Sequence, residues 1–243
     1  LSSTFAKNIQ HPMMKNRNAL ILGATGGIGE AICNELRLEK FDCYLIGRSA
    51  EKLTRLRKKY LLSSDQTFCT NSITSAEGFQ KTQSWLGNLK QKFSIAIHCA
   101  GLGVMKRASE ISLEDWQALM DINLNSAFAF YKLAWGIRST DRLELVYFGS
   151  ASVDQAWPKN SLYGASKAGL EMFAKSLQKE IRPDGGRVWL YKPGSVRTGF
   201  FDQLPNHMPR MKMLDPETIA KIVVENLQKK QTFFLPEIPI LSE

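Results

Sequence analysis

The chain has 243 residues, 44% hydrophobic and 23% charged, an ordinary globular balance that excludes wholesale disorder and fibrous repeats. No apolar run approaches the roughly eighteen residues that a membrane-spanning helix needs, and a domain of this size buries enough surface to need neither metal nor disulfide. Lys and Arg (32) exceed Asp and Glu (23) by nine, a balance that favours anionic partners: phosphorylated small molecules, nucleic acid or an acidic membrane.

Residues 1–17 are polar and aperiodic and lack the apolar core of a secretory signal. They are expected to form a disordered extension, native or left from expression, with Met13-Met14 offering a natural start. From there short apolar strands alternate with helical patterns. Asn18–Leu22 reads as a strand, Gly27–Leu38 as a helix, Asp42–Ile46 as a strand and Ala50–Tyr60 as a helix. Thr67–Thr70 is a weak strand, Ser75–Lys90 a helix, Ser94–His98 a strand and Leu113–Arg138 one long helix. Leu143–Phe148 is a strand, Leu162–Ile181 a helix, Arg187–Tyr191 a strand, Pro216–Lys229 a helix and Phe233–Leu235 a last strand. This alternation predicts an α/β fold, a doubly wound parallel sheet of about seven strands with helices on both faces. No linker or repeat interrupts it, so residues 18–243 read as a single domain.

Three stretches break the rhythm, Gly101–Ser112, Ala151–Ser161 and Pro193–Asp215, and each follows a strand's carboxyl end, the edge where open α/β sheets bind ligands. The last carries Phe200, Phe201, Met208, Met211 and Met213 and reads as a lid or substrate wall. The basic cluster Lys52, Arg55, Arg57, Lys58 and Lys59 alternates with Leu53, Leu56 and Tyr60 at helical spacing, which makes it the wet side of a helix rather than a nucleic-acid site. Cys33, Cys43, Cys69 and Cys99 have no metal-ligand spacing; they read as small core residues of a protein in the reducing cytoplasm, with no metal.

Gly23-Ala24-Thr25-Gly26-Gly27-Ile28-Gly29 follows the first strand and opens the first helix. Glycines there let the chain turn sharply and let a diphosphate approach the N–H groups at the helix's positive end. The second strand ends in Ile46-Gly47-Arg48-Ser49, where an acidic residue would grip the adenosine ribose hydroxyls of NAD. Arg48 instead suits a 2′-phosphate, so the cofactor is read as NADP(H) unless Arg48 is an ordinary surface arginine. Further along, Ser150 follows the fifth strand, Tyr163 lies thirteen residues later, and Lys167 is one helical turn beyond Tyr163 on the same face. Taken one by one, Ser150 is equally a turn cap, Asn123 a mid-helix hydrogen-bonder and Tyr163 a core residue with a wet hydroxyl.

Together these motifs resemble the short-chain dehydrogenase/reductase family from Asn18 to about Leu235. The resemblance rests on the GATGGIG turn, Asn123 in Asp121-Ile122-Asn123-Leu124, Ser150 in Gly149-Ser150-Ala151-Ser152, Tyr163-Gly164-Ala165-Ser166-Lys167, and Lys192-Pro193-Gly194-Ser195-Val196-Arg197-Thr198. It implies a Rossmann-like fold and an NADPH-dependent carbonyl reductase or alcohol dehydrogenase acting on a ketone, aldehyde or 3-oxoacyl compound. Tyr163 would be the general acid/base, its proton brought within range by Lys167 and the nicotinamide charge. Lys167 would also hold the nicotinamide ribose, Ser150 the developing oxyanion, and Asn123 a water that links Lys167 to solvent. Cofactor contacts would come from Gly23, Thr25, Gly26, Gly27, Ile28, Gly29, Arg48, Ser49, Asn71, Ala100, Gly101, Tyr163, Lys167, Pro193, Gly194, Val196 and Thr198.

The chain departs from the family in having His98-Cys99-Ala100-Gly101 where Asn-Asn-Ala-Gly is usual, Thr70 and Asn71 where an adenine-contacting Asp is frequent, and no Gly-Gly tail. His98 reads as a buried strand histidine. By analogy, the helices Asn123–Arg138 and Tyr163–Ile181 would pack against a second copy in a homodimer, or a homotetramer. Phe128, Phe130, Leu133, Trp135, Met172 and Phe173 would serve either that interface or the core. The competing reading from another class is a catalytically silent NADP-binding regulatory or interaction subunit.

Overall fold

Near-continuous apolar runs such as Ala19–Leu22 and Leu145–Phe148 give the central strands two greasy faces, and the fold covers both. The computed structural model describes residues 16–140, 142–201, 213–228 and 237–241. Its strands are β1 (Asn18–Leu22), β2 (Asp42–Gly47), β3 (Thr67–Cys69), β4 (Ile95–His98), β5 (Leu143–Phe148), β6 (Gly186–Pro193) and β7 (Glu237–Ile240). They form one parallel seven-stranded sheet in the order β3-β2-β1-β4-β5-β6-β7.

Alternate strand residues sort cleanly. Ala19, Ile21, Leu45, Ile97, Val146 and Trp189 meet α1 (Gly27–Leu38), α2 (Ala50–Tyr60) and α7 (Pro216–Gln228) on one face. Leu20, Leu22, Ile46, Leu145, Tyr147 and Leu190 meet α3 (Ala76–Asn88), α5 (Ser126–Gly136) and α6 (Ser161–Ile181) on the other. The helices start where sequence chemistry starts them. Ser49, Ser75 and Ser112 cap α2, α3 and α4 (Leu113–Met120), each accepting a backbone N–H three residues on. Ahead of β1, Asn16 donates to the Lys92 carbonyl at 2.7 Å and the Arg17 guanidinium lies over the Phe41 ring at 4.4 Å, so the chain is tied to the fold from residue 16.

Three elements differ from expectation. The single helix predicted over Leu113–Arg138 is α4 and α5 joined by a π-turn, Asp121–Asn125. The wider turn coincides with Asn123, which is fully buried and gripped across the gap by Leu102. Strand β6 runs on to Pro193, because Lys192 and Pro193 find partners in β7. The last strand is β7, at Glu237–Ile240; the predicted Phe233–Leu235 lies outside the described residues. Pro239 disguised this strand in the sequence, yet a proline is tolerated at a sheet edge. Of the α5 and α6 apolar residues, Phe130 and Leu133 belong to the core, whereas Phe128 and Met172 are exposed on the outer surface.

Where β1 ends, the chain reverses direction through Gly23, at φ +79°. A Cβ there would sit 2.6 Å from the Ala100 nitrogen, so the turns after β1 and β4 touch backbone to backbone. Gly23→Ala should therefore destabilise the protein by about 2–4 kcal/mol, combining left-handed strain with a clash. Gly26→Ala, whose nearest atom would be 3.4 Å away, should cost under about 1 kcal/mol. Urea unfolding of both variants checks the contrast.

Candidate active site

Strand order reverses between β1 and β4, and this opens a crevice at their carboxyl ends. Two adjoining lobes fill it, sharing Ile28, Cys99, Ala100, Gly101, Gly103, Thr198 and Phe200.

The first lobe, about 420 Å³, runs along the glycine turn and past Gly47, Arg48, Lys52, Thr70 and Asn71. Gly26 precedes α1 and no side chain caps that helix, in contrast with α2, α3 and α4. Its first N–H groups and positive dipole end thus face the lobe and suit a phosphate. At Gly27 and Gly29 the turn leaves no space for a side chain. A Cβ on Gly27 would lie 2.5 Å from Thr198 Cγ2, and one on Gly29 would lie 2.4 Å from the Gly23 oxygen. Arg48 is exposed, and neither it nor Lys52 makes an ion pair among the described residues, whereas Arg55 and Lys59 are both spent on Glu30. The residues present therefore fit a dinucleotide, with two cations left at the end where a 2′-phosphate would lie.

The second lobe, about 490 Å³, has Ser150, Tyr163 and Lys167 on one wall and Val104, Met105, Trp157 and Phe200 among its apolar lining. The wall is built by β5 and α6, which bring residues thirteen apart in sequence to one place. Ser150 Oγ lies 2.9 Å from Ser152 Oγ, accepts from the Ser152 N–H at 3.2 Å, and shares the lobe with the Tyr163 phenol. Phe200 meets the Tyr163 ring edge-on at 5.9 Å. Lys167 is 5% exposed, and its Nζ donates to the Phe148 carbonyl at 2.7 Å.

Burial governs the proton affinities. It pushes the Tyr163 phenol up to about 12, with the Ser150 hydroxyl opposing, so the phenol is protonated at neutral pH. It pulls Lys167 down to about 8, against the favourable charge of Glu171. The expected lowering of the phenol by Lys167 is absent here, because the ammonium points at Phe148 and lies 5.9 Å from the Tyr163 ring centroid. His98 is buried, bonds Ser126 at 2.7 Å and is pushed down to about 3, which leaves it neutral and without acid–base work.

Most of the anticipated residues line the crevice: Gly23, Thr25, Gly26, Gly27, Ile28, Gly29, Arg48, Asn71, Ala100, Gly101, Ser150, Tyr163, Lys167, Pro193, Gly194, Val196 and Thr198. Two do not. Ser49 is spent as the cap of α2, its Oγ accepting from Lys52 N at 3.2 Å. Asn123 lies behind Gly101, its carboxamide bonded to both backbone groups of Leu102 and to Ser166 Oγ, so it braces the wall from behind. Lys52 was not named as a lining residue, and Ser152, Gln155, Trp157 and Asn160 were anticipated only as part of the Ala151–Ser161 stretch. Lys52 stood in the basic cluster read as the wet side of a helix, four residues beyond Arg48. Of the anticipated lid, Phe200 lines both lobes, while Met208 and Met211 lie outside the described residues.

Comparison with known proteins agrees with this geometry. An uncharacterized oxidoreductase of Staphylococcus saprophyticus is 25% identical over 231 residues, covering 93% of this chain and 97% of its own. One from Staphylococcus aureus is 27% identical over 234 residues, covering 94% and 98%. Among solved structures, an alcohol dehydrogenase from Thermococcus sibiricus complexed with 5-hydroxy-NADP superposes with a TM-score of 0.81 at 23% identity, over 94% of this chain and 97% of that one. A short chain dehydrogenase from Burkholderia cenocepacia in complex with NADP also gives 0.81, at 19% identity over 95% and 98%. The short chain dehydrogenase family model matches residues 17–209, and with the glycine-cradled crevice and the Ser150, Tyr163 and Lys167 wall it assigns this chain to the short-chain dehydrogenase/reductase family of oxidoreductases.

Proposed function

We propose that this protein is an NADPH-dependent carbonyl reductase, reversible as an alcohol dehydrogenase, acting on a ketone, aldehyde or 3-oxoacyl carbonyl. The observation that carries the proposal is the convergence of a protonated phenol, a hydroxyl and a buried ammonium on one wall of a lobe that adjoins the phosphate-suited lobe. The nicotinamide, when bound, supplies the hydride. Tyr163 Oη hands its proton to the substrate oxygen in reduction and takes one back in oxidation. Ser150 Oγ donates to that oxygen as negative charge develops. Lys167 holds the ribose beside the phenol and replenishes positive charge there. Val104, Met105, Trp157 and Phe200 exclude water and receive an apolar substrate body. The four cysteines are free thiols, which suits the cytoplasm. A homodimer through α5 and α6 would cover exposed Phe128 and Met172.

NADPH oxidation with a panel of carbonyl compounds tests the chemistry. Tyr163→Phe should lower kcat about 10²–10⁴-fold with NADPH affinity retained; an unchanged rate would remove Tyr163 as proton donor. Cofactor choice is read by fluorescence titration. Arg48→Asp should weaken NADPH about 10–100-fold and NADH much less, because only the 2′-phosphate loses a charge-assisted partner; equal losses would make Arg48 structural. Reduction should also fade as pH rises through about 8, where Lys167 loses its proton; a kcat profile flat from pH 7 to about 9 would contradict that role.

A further inference from the structure

Behind the reacting wall lies a buried ion pair that the proposed chemistry leaves unused. Glu171 on α6 and Lys192 on β6 are each 5% exposed, with Lys192 Nζ 3.2 Å from Glu171 Oε2. Buried pairs are seldom more stabilising than hydrocarbon of the same shape, so the geometry of this one matters more than its energy. The other carboxylate oxygen faces the site. Glu171 Oε1 accepts from the Ser150 N–H at a long 3.5 Å, and a Cβ on Gly149 would come within 2.8 Å of it. Glu171 also stands one helical turn beyond Lys167, on the same face of α6. Lys192 is held on its far side by Asp154, from the loop that follows Ser150, and by Glu237 of β7 at 3.5 Å. Glu237 is in turn paired with Lys175 at 2.6 Å.

We propose that Glu171, clamped by Lys192, is a positioning residue of the reacting wall: it fixes the Ser150 backbone and stands as counter-charge to the Lys167 ammonium. The inference rests on the reading of Ser150, Tyr163 and Lys167 given above. The groups facing Lys167 are Glu171 and Tyr163 on its own helix, His98 and Cys99 at the end of β4, the Phe148 carbonyl of β5, and Lys192 of β6 behind Glu171. His98 is neutral, and burial holds the Cys99 thiol protonated. Among these described groups Glu171 is the one anion. Without it the ammonium keeps the Phe148 carbonyl and loses its proton more readily.

Glu171→Gln keeps the volume and removes the charge. In the cofactor-free protein, Lys167 has a folded-state affinity below its unfolded one, so its neutral folded form gains stability as pH rises between the two. Lowering the folded value further makes the variant's deficit largest at neutral pH and smaller towards pH 10. Melting temperatures from pH 6 to 10 should show that convergence, and it should vanish when both proteins also carry Lys167→Met. With NADPH and a carbonyl substrate, kcat should fall and its basic limb move down by about one pH unit, with KM little changed. Glu171→Gln/Lys192→Met, which removes the ammonium at 192 together with its buried partner, should displace the limb in the same direction. A melting deficit independent of pH in both backgrounds, with the limb unmoved, would overturn the proposal and leave Glu171 a structural residue. The cofactor-free titration reports the Glu171–Lys167 coupling whether or not Tyr163→Phe loses activity, so the two readings fail separately.

Discussion

The contact on which the crevice depends is made by backbone alone. Gly23 and Ala100 bring the turns after β1 and β4 so close that a single Cβ would sit 2.6 Å from a peptide nitrogen. That approach occurs at the one place where the strand order reverses, so the sheet opens a slot there and not elsewhere. Both lobes are consequences of it. The helix end on one side is left without a side-chain cap, and the strand end on the other delivers Ser150.

Charge is distributed around this slot with a division of labour. Among the described residues, Arg48 and Lys52 at the first lobe are exposed and make no ion pair, which suits an anion. The cation of the second lobe is buried, and burial is what brings its proton affinity down to about 8. The same burial raises the neighbouring phenol, so near neutral pH the acid stays loaded while the ammonium is brought close to release. Buried carboxylate and ammonium at 171 and 192 then hold this wall to β6 and to the loop carrying Asp154. An apolar wall would pack as well but would provide no fixed charge behind the reacting atoms.

How much of this was legible follows from the range of each interaction. Apolar alternation and serine caps are local, and the strands and helices they imply are found within a residue or two at most ends. Asn123 shows the limit. Family resemblance marked it as functional, but only the packing against Leu102 and Ser166 reveals that its carboxamide is occupied and that a π-turn surrounds it. Ser49 is a different case, since a serine ahead of a helix can serve either a ligand or a backbone N–H, and here its hydroxyl accepts from Lys52 N. Strand β7 was missed, while the expected Phe233–Leu235 lies outside the described residues: two prolines, at 236 and 239, mask its pattern, and its pairing partner lies more than forty residues away, at Leu190–Pro193.

The amino-acid sequence by itself determined the alternating architecture, the glycine turn, and the Ser150, Tyr163 and Lys167 set with its family resemblance, because periodicity, chain reversal and i to i+4 spacing act over a few residues. Tertiary structure alone decided which cations stay free, which way Lys167 points, how far burial moves each proton, and that Glu171 and Lys192 meet behind the wall. Those outcomes depend on desolvation and on contacts between distant segments, and neither exists until the sheet has closed around them.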